Sequence, residues 1–349
     1  MKVLYAGIEA ENYDPKRSPS FEQVNFLGAL QRLPGVTVVV HPFDRILTMG
    51  WRLWNEELMH LVRREQPEAL FVFMYTDECD PVVLDRIRTE TDTKTIAWFA
   101  DDYWRFWNYS RLYAPHFTLA VTTAPQAVAW YRKAKLENVF LSQWGANPNA
   151  YWPVTTGAER DIEVSFIGQW KPQREETIQA LRRAGVRVEA FGLGWPAGRV
   201  SREAMMDIIG RSKMTLNLND RRSRFDPWVL GRLFFMKSRD RIVPDVHFIR
   251  NIRAWWHFVE PHIHARIFEL AACRACVISG YTDGVERYYE PDREMVFYRT
   301  NAELVDKVRF YLDHPEERER IAAAAYERTL REHTYEERFR AILNELNVR

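Results

Sequence analysis

Cysteine is scarce in this chain: Cys79, Cys273 and Cys276 are the only three in 349 residues. That is too few for a disulfide framework and fits a reducing compartment. Cys273 and Cys276 form a C-x-x-C, but no second ligand pair stands at zinc-site spacing. They read instead as small apolar residues where a helix ends and a strand begins. No apolar run approaches the length of about 18 residues that a membrane-spanning helix needs. Lys2–Ala6 opens as a strand, without the length or cleavage site of a signal peptide, so a cytoplasmic protein is expected. Excess charge of one sign is missing too: Lys+Arg 49 against Asp+Glu 48 leaves +1. Such a balance offers no global attraction for nucleic acid, and any anion site must be local. Glycine-rich phosphate loops are also absent. The first strand runs into Gly7-Ile8-Glu9-Ala10-Glu11-Asn12, one glycine and two acids where a dinucleotide fold carries G-x-G-x-x-G. No Gly-Lys-Ser/Thr of a P-loop occurs.

What the chain does have is apolar and aromatic residues, 46% and 14%, with thirteen Trp. At this length they are enough for two cores. The first half alternates strand and helix. Val3–Ala6, Thr37–Val40, Ala69–Tyr75, Thr95–Phe99, Leu119–Thr123 and Val139–Ser142 read as strands. Helices are expected near 20–33, with Ser20 and Gln23 as a capping box, and at Trp51–Arg64, Pro81–Arg88 and Gln126–Lys135. A turn-rich stretch, Asn147–Pro153 with Thr155-Thr156-Gly157, reads as a linker. Alternation then resumes: strands Ile162–Ile167, Arg187–Phe191, Met214–Leu218, Cys276–Ser279 and Met295–Tyr298, helices Glu175–Ala184 and Ile263–Ala272, and helix from Asn301 onward. Apolar strands alternating with helices imply parallel sheets covered on both faces. The expected fold is therefore α/β, two Rossmann-like parallel-sheet domains facing a central cleft. Residues 1–153 form the first domain, 160–333 the second, and 334–349 a helix packing back toward the first.

Ligand chemistry concentrates in a few places. After the second domain's first strand comes Gly168-Gln169-Trp170-Lys171-Pro172-Gln173-Arg174, a single glycine followed by two cations at a helix start. That suits a diphosphate, although both cations could be surface charges. In His262-Ile263-His264-Ala265-Arg266-Ile267-Phe268-Glu269, Arg266 and Glu269 share a helix face. A cation there could meet phosphate and a carboxylate the two ribose hydroxyls, or the two could simply pair with each other. His262 and His264, at i,i+2, would diverge on a helix, and no metal site is expected. In the first domain Trp98-Phe99-Ala100-Asp101-Asp102 follows a strand, where cleft residues sit. Either carboxylate could take a proton from an acceptor hydroxyl, or cap the next helix. Glu9 and Glu11 are second candidates. The stretch 220–262 mixes nine Lys/Arg with eight Phe/Trp and only five acids. It could dock at a membrane surface, form a dimer contact, or be a packed subdomain.

Taken in order, several motifs resemble the C-terminal domain of group 1 glycosyltransferases. They are Arg266-Ile267-Phe268-Glu269, Ala272-Cys273, and Asp283-Gly284-Val285-Glu286-Arg287-Tyr288-Tyr289-Glu290-Pro291. Tyr311–Arg318 with His333-Thr334-Tyr335, Asn12-Tyr13, Ser20-Phe21-Glu22, Asn25-Phe26, and Phe191-Gly192 with Trp195 are similar to the spore-maturation (CgeB-type) branch. The resemblance spans nearly the whole chain. It implies the GT-B architecture and transfer of a sugar from a nucleotide-diphosphate sugar to an acceptor hydroxyl, with no metal or other cofactor. Carried over, Glu269 would bind ribose. Gly168, Lys171, Arg174, His264 and Arg266 would face the diphosphate, Gly192 and Trp195 would lie near the base, and Asp283, Gly284 and Glu286 near the sugar or phosphate. Glu9, Glu11 and Asn12 would meet the acceptor, whether glycan, lipid-linked or protein. Many group 1 enzymes carry a second glutamate eight residues before the position of Glu269. Here it is Pro261, beside Glu260, so the resemblance does not define the sugar contacts or the stereochemistry. His264 stands where a longer polar or basic side chain would be expected. Two rivals share the fold: a sugar-nucleotide 2-epimerase, which would convert the donor without acceptor, and a binding module, which would release no nucleotide.

Overall fold

The computed structural model describes residues 1–154, 160–219 and 223–348. Thr155-Thr156-Gly157 of the expected linker, and Asp220, Arg221 and Arg222 of the basic-aromatic stretch, lie outside the described residues. In chain order the strands are β1 (Lys2–Ala6), β2 (Thr37–Val40), β3 (Ala69–Phe73), β4 (Lys94–Phe99), β5 (Leu119–Thr122), β6 (Val139–Leu141), β7 (Ile162–Ile167), β8 (Val188–Phe191), β9 (Ser212–Asn217), β10 (Phe235–Ser238), β11 (Arg241–Pro244), β12 (Val277–Gly280) and β13 (Val296–Tyr298). They form two parallel sheets, ordered β2-β1-β3-β4-β5-β6 and β13-β12-β9-β7-β8, and an antiparallel hairpin, β10-β11. Each large sheet reverses its winding once, between β1 and β3 and between β7 and β9. At such a switch point the loops leaving the strand ends diverge and open a crevice.

The chain divides into two compact units. One comprises 1–143, 222–260 and 335–349, the other 144–221 and 261–334. This differs from the expected boundaries in two respects: residues 222–260, expected inside the second domain, cluster with the first, and residues 144–153, expected in the first, cluster with the second. The cause of the first difference is burial. Ala254 is buried on the inner side of the Phe248–His257 helix, where Asn251 accepts a 3.0 Å hydrogen bond from Asn108, and Phe258 meets Trp104 edge-on at 4.9 Å. Over its described residues the basic-aromatic stretch folds as a short helix (Pro227–Gly231), the hairpin and the Phe248–His257 helix, the last of these packed on the helix after β4.

In the first unit, β3 is buried throughout, as a strand covered on both faces must be. Ser20 caps its helix as the sequence indicates, its hydroxyl accepting from the Gln23 amide at 2.9 Å. The Tyr335–Val348 helix packs on this sheet: Phe339 lies 5.2 Å from Phe71 and 5.8 Å from Phe26, and Arg32 pairs with Glu336 at 2.7 Å. Elements the sequence does not announce include the short helices Ile46–Met49 and Pro227–Gly231, the Arg202–Arg211 helix, the hairpin and the Phe248–His257 helix. No helix among the described residues is long and apolar enough to cross a membrane.

Candidate functional site

In the second unit the switch point lies at the ends of β7 and β9. Gly168 ends β7, and its amide donates to the Phe191 carbonyl at 2.9 Å. Gly192 follows β8 with φ at +128°, and a Cβ there would stand 2.2 Å from the Gly168 carbonyl oxygen. Only glycine allows the two loops to approach this closely. Trp195 donates its indole N–H to the same carbonyl at 2.9 Å. Its ring is buried against the edge of Phe166, 6.0 Å away. Trp195 thus braces the loop from the edge of the core. A cavity of about 320 Å³ lies along β8, lined by Phe191, Trp195, Pro196, Arg182, Glu175 and Glu189. It includes none of the cations described next, so the switch point is the better candidate for phosphate chemistry.

Lys171 precedes the first turn of the Pro172–Arg183 helix, where proline's missing N–H costs nothing. Arg174 donates to the Gln169 carbonyl at 2.7 Å and to Leu218 at 3.5 Å, linking the ends of β7 and β9, with its guanidinium 5.3 Å from the Phe166 ring. The helix expected from Ile263 begins only at Arg266. His262 and His264 thus lie in non-helical chain, and their rings approach to 4.1 Å rather than diverging. Burial, then the neighbouring His262, Arg174, Lys171 and Arg266, hold His264 well below the usual imidazole range. It is therefore neutral near pH 7, in a field of three cations that stand at the starts of two helices. Arg266 pairs with Glu269 at 2.9 Å and touches the Met205 sulfur at 3.2 Å. Glu269 is buried and engaged, with Tyr151 beside it. The two thus pair in the ordinary i,i+3 manner rather than as two free ends.

After β12, Asp283 is exposed, Gly284 takes φ +85°, and exposed Glu286 accepts from the Tyr281 hydroxyl. That hydrogen bond pulls the Glu286 carboxyl below its usual range. The sequence reading missed an amide network here. Asn217 donates to Ser279 Oγ at 2.9 Å and to Asn219 Oδ1 at 3.1 Å, and Asn219 donates to the Gly280 carbonyl at 2.7 Å and to Thr282 Oγ1 at 2.8 Å. The one available signal was Asn-Leu-Asn ending a buried strand, where polar side chains need partners.

The first unit's switch point has the opposite character. Glu9 is exposed, its backbone held by Asp44 at 2.6 Å and Ser20 at 2.8 Å. Glu11 pairs with Arg17 at 3.5 Å. Asn12, at φ +57°, accepts from Lys237 at 3.3 Å and from the Tyr75 hydroxyl at 3.5 Å. Lys237 also donates to that hydroxyl at 2.6 Å, while Ser238 donates to Asp77 at 2.8 Å and the Arg239 amide to Thr76 at 2.8 Å. The hairpin turn is thus seated on the loop after β3. Beneath it Glu78 is fully buried and accepts from Tyr13 at 2.6 Å and from the Thr76 amide at 2.6 Å. Burial raises its carboxyl above the usual range. Neither the hairpin nor Glu78 was legible as part of this site.

The two candidate bases separate clearly. Asp101 is half-buried, its side chain makes no helix cap, and its carbonyl accepts from Trp104 and Arg105. Asp102 is fully buried, with Tyr131 donating to it at 2.9 Å. Burial pushes its carboxyl to about 6, against the opposing pull of Ser110, Thr122, Tyr131 and Arg105. The expectation that either acid could meet an acceptor is corrected for Asp102: its side chain points into the core, where an acceptor hydroxyl has no access. Among the described residues no group of three or more His, Cys, Asp or Glu is arranged to hold a metal ion. Cys273 and Cys276 are free and buried, which raises both thiols to about 12.

Residues 237–344 match the family model described as glycosyl transferase-like. No curated protein matches the chain. Among solved structures, the chain is similar to HepE from Anabaena in complex with UDP-glucose (11% identity, all of both chains covered, TM-score 0.61). It is similar to sucrose-phosphate synthase from Thermosynechococcus elongatus (11% identity, 99% of each chain covered, TM-score 0.58). It is similar also to a glycosyltransferase from Rickettsia africae (9% identity, 99% of this chain and 97% of that one, TM-score 0.54). The chain therefore has the two-sheet architecture of the GT-B glycosyltransferases and carries a glycosyl transferase-like segment over 237–344.

Proposed function

We propose that the protein is a glycosyltransferase that moves a sugar from a nucleotide-diphosphate sugar to an acceptor hydroxyl, with no metal or other cofactor, and that it belongs with the spore-maturation (CgeB-type) branch. The observation that carries the reading is the convergence of Lys171, Arg174 and Arg266 around His264 at a strand-end switch point. Fixed cations aimed at one place stabilise the charge that develops on a departing diphosphate. In the reaction the acceptor oxygen bonds to the anomeric carbon and the bond from that carbon to the phosphate oxygen breaks. The electron pair leaves on the diphosphate, and the hydroxyl proton goes to a carboxylate.

Asp101 is the carboxylate this reading favours, being half-buried at the end of β4. Glu269 would bind ribose, exchanging part of its pairing with Arg266 for the two hydroxyls. Gly168 and Gly192 would let the backbone approach the diphosphate, with Trp195 holding the loop. Asp283, Gly284 and Glu286 would lie toward the sugar. Glu9, Glu11 and Asn12 would meet the acceptor, a glycan, lipid-linked or protein hydroxyl, in the cytoplasm. HepE was solved with UDP-glucose, which supports a nucleotide-sugar donor.

A melting-temperature screen in chelator tests the reading. A nucleoside diphosphate should raise the melting temperature without added metal, because ligand that binds only the folded state stabilises it. Glu269→Ala should weaken that binding by about 2 kcal/mol, the worth of charge-assisted hydrogen bonds. An absolute divalent-metal requirement, or unchanged affinity in the folded variant, would count against it.

A further inference from the structure

The Phe248–His257 helix presents an apolar face outward. Its inner positions, Asn251 and Ala254, are buried. On the opposite side Ile249 is 79% exposed, Ile252 39% and Trp256 52%, with Arg253 between them. These residues fall at i, i+3, i+4 and i+7, one stripe of a helix. Beside the stripe, Val246 is 87% exposed and Ile242, on β11, 76%. Isolated exposed apolar residues are ordinary, but a stripe of them on one helix, with two more on the segment just before it, marks an interaction surface.

Charge indicates what covers it. Arg250 and Arg253 on this helix lie near Arg111, whose guanidinium is destabilised by burial and then by the other two. Among the described residues none of the three makes an ion pair, although Arg253 stacks over Trp107 at 5.0 Å. Three arginines held together without an anion want anionic groups from outside. A second copy of the chain fits poorly. A two-fold contact brings each patch against itself and would set arginine against arginine.

We propose that the exposed face of 242–256 docks on an anionic lipid surface, with Ile249, Ile252 and Trp256 in the headgroup–acyl boundary and Arg250, Arg253 and Arg111 on lipid phosphates. Apolar area and basic charge on one helix are the two signals such docking needs. The inference stands on this surface alone and does not require the glycosyltransferase reading.

Cosedimentation of the full chain with vesicles tests it, using phosphatidylcholine alone and phosphatidylcholine mixed with phosphatidylglycerol, at low and high salt. Binding is expected to the anionic vesicles only and to weaken with salt. Arg250→Gln with Arg253→Gln should reduce it about tenfold or more. Ile249→Ser with Trp256→Ser should do the same. Ile249, Arg253 and Trp256 are exposed and Arg250 is half-buried, and none of the four belongs to the proposed donor site, so melting temperature and nucleoside-diphosphate response should stay close to those of the parent. No binding, equal binding to neutral vesicles, or binding unchanged in both variants overturns the proposal. So does a self-association, seen by sedimentation velocity, that the same variants abolish in a protein that ignores vesicles.

Discussion

The two switch points are built alike and charged oppositely. Around the ends of β7 and β9, burial, then His262 and the cations Arg174, Lys171 and Arg266, hold His264 below the usual imidazole range. Around the ends of β1 and β3, Glu9, Glu11, Asp77 and the buried Glu78 dominate, tempered by Lys237 and Arg239 from the hairpin. On the proposed reading, the first of these suits a departing anion and the second a group that must lose a proton. The strand order makes both crevices, and the side chains at their rims decide the chemistry.

That contrast can be broken in several ways. The largest effect should come from Gly192→Ala, which sets a Cβ 2.2 Å from the Gly168 carbonyl at a φ of +128°. It should cost about 3 kcal/mol or more of stability, read by denaturant unfolding. A tolerated alanine would mean that the second crevice does not depend on this close approach.

Asp101→Asn should lower turnover about a hundredfold, in line with general-base contributions, while donor affinity moves less than about threefold. The assay is nucleotide release with acceptor present, beside a donor titration. Normal turnover would pass the role to Glu9 or Glu11. Lost donor binding would end the division of labour between the units.

Asp102 sharpens the comparison through pH. Its folded pKa of about 6 lies above the unfolded value of about 4, so the folded state holds the proton more tightly. Its contribution to stability is therefore greatest below pH 4 and is lost as pH rises through 6, by about 3 kcal/mol. Asp102→Asn stays neutral throughout. The difference in unfolding free energy between variant and parent should grow in the variant's favour from acid to neutral pH. A pH-independent difference would place this carboxyl elsewhere.

The smallest effect should be Lys171→Ala, about tenfold in nucleoside-diphosphate affinity for one lost charge-assisted contact. Glu9→Gln and Glu11→Gln should leave that affinity unchanged. Equal losses from the two sets of variants would erase the distinction between the sites.

Much of this was legible in the chain. Continuous apolar runs such as Ala69–Phe73 and Ile162–Ile167 announce strands covered on both faces, and the Ser20 cap and the Pro172 helix start follow from local hydrogen-bonding rules. Lys171 and Arg174 were visible as cations after a strand end because a parallel sheet delivers those loops to one edge, and Arg266 as a helix residue sharing a face with Glu269. What only the tertiary structure decided concerns neighbours distant in sequence. Asp101 and Asp102 are adjacent and chemically identical, yet the packing of Tyr131 and the helix after β4 buries one and leaves the other at the rim. Trp195 could have faced a ligand until Phe166 and the Gly168 carbonyl claimed it. Residues 223–260 interrupt the second sheet in sequence but cluster with the first unit, where Ala254 is buried and the partly buried Phe258 meets Trp104. Periodicity and capping are local and can be read along the chain, whereas burial and electrostatic neighbourhood depend on contacts that exist only once the chain has folded.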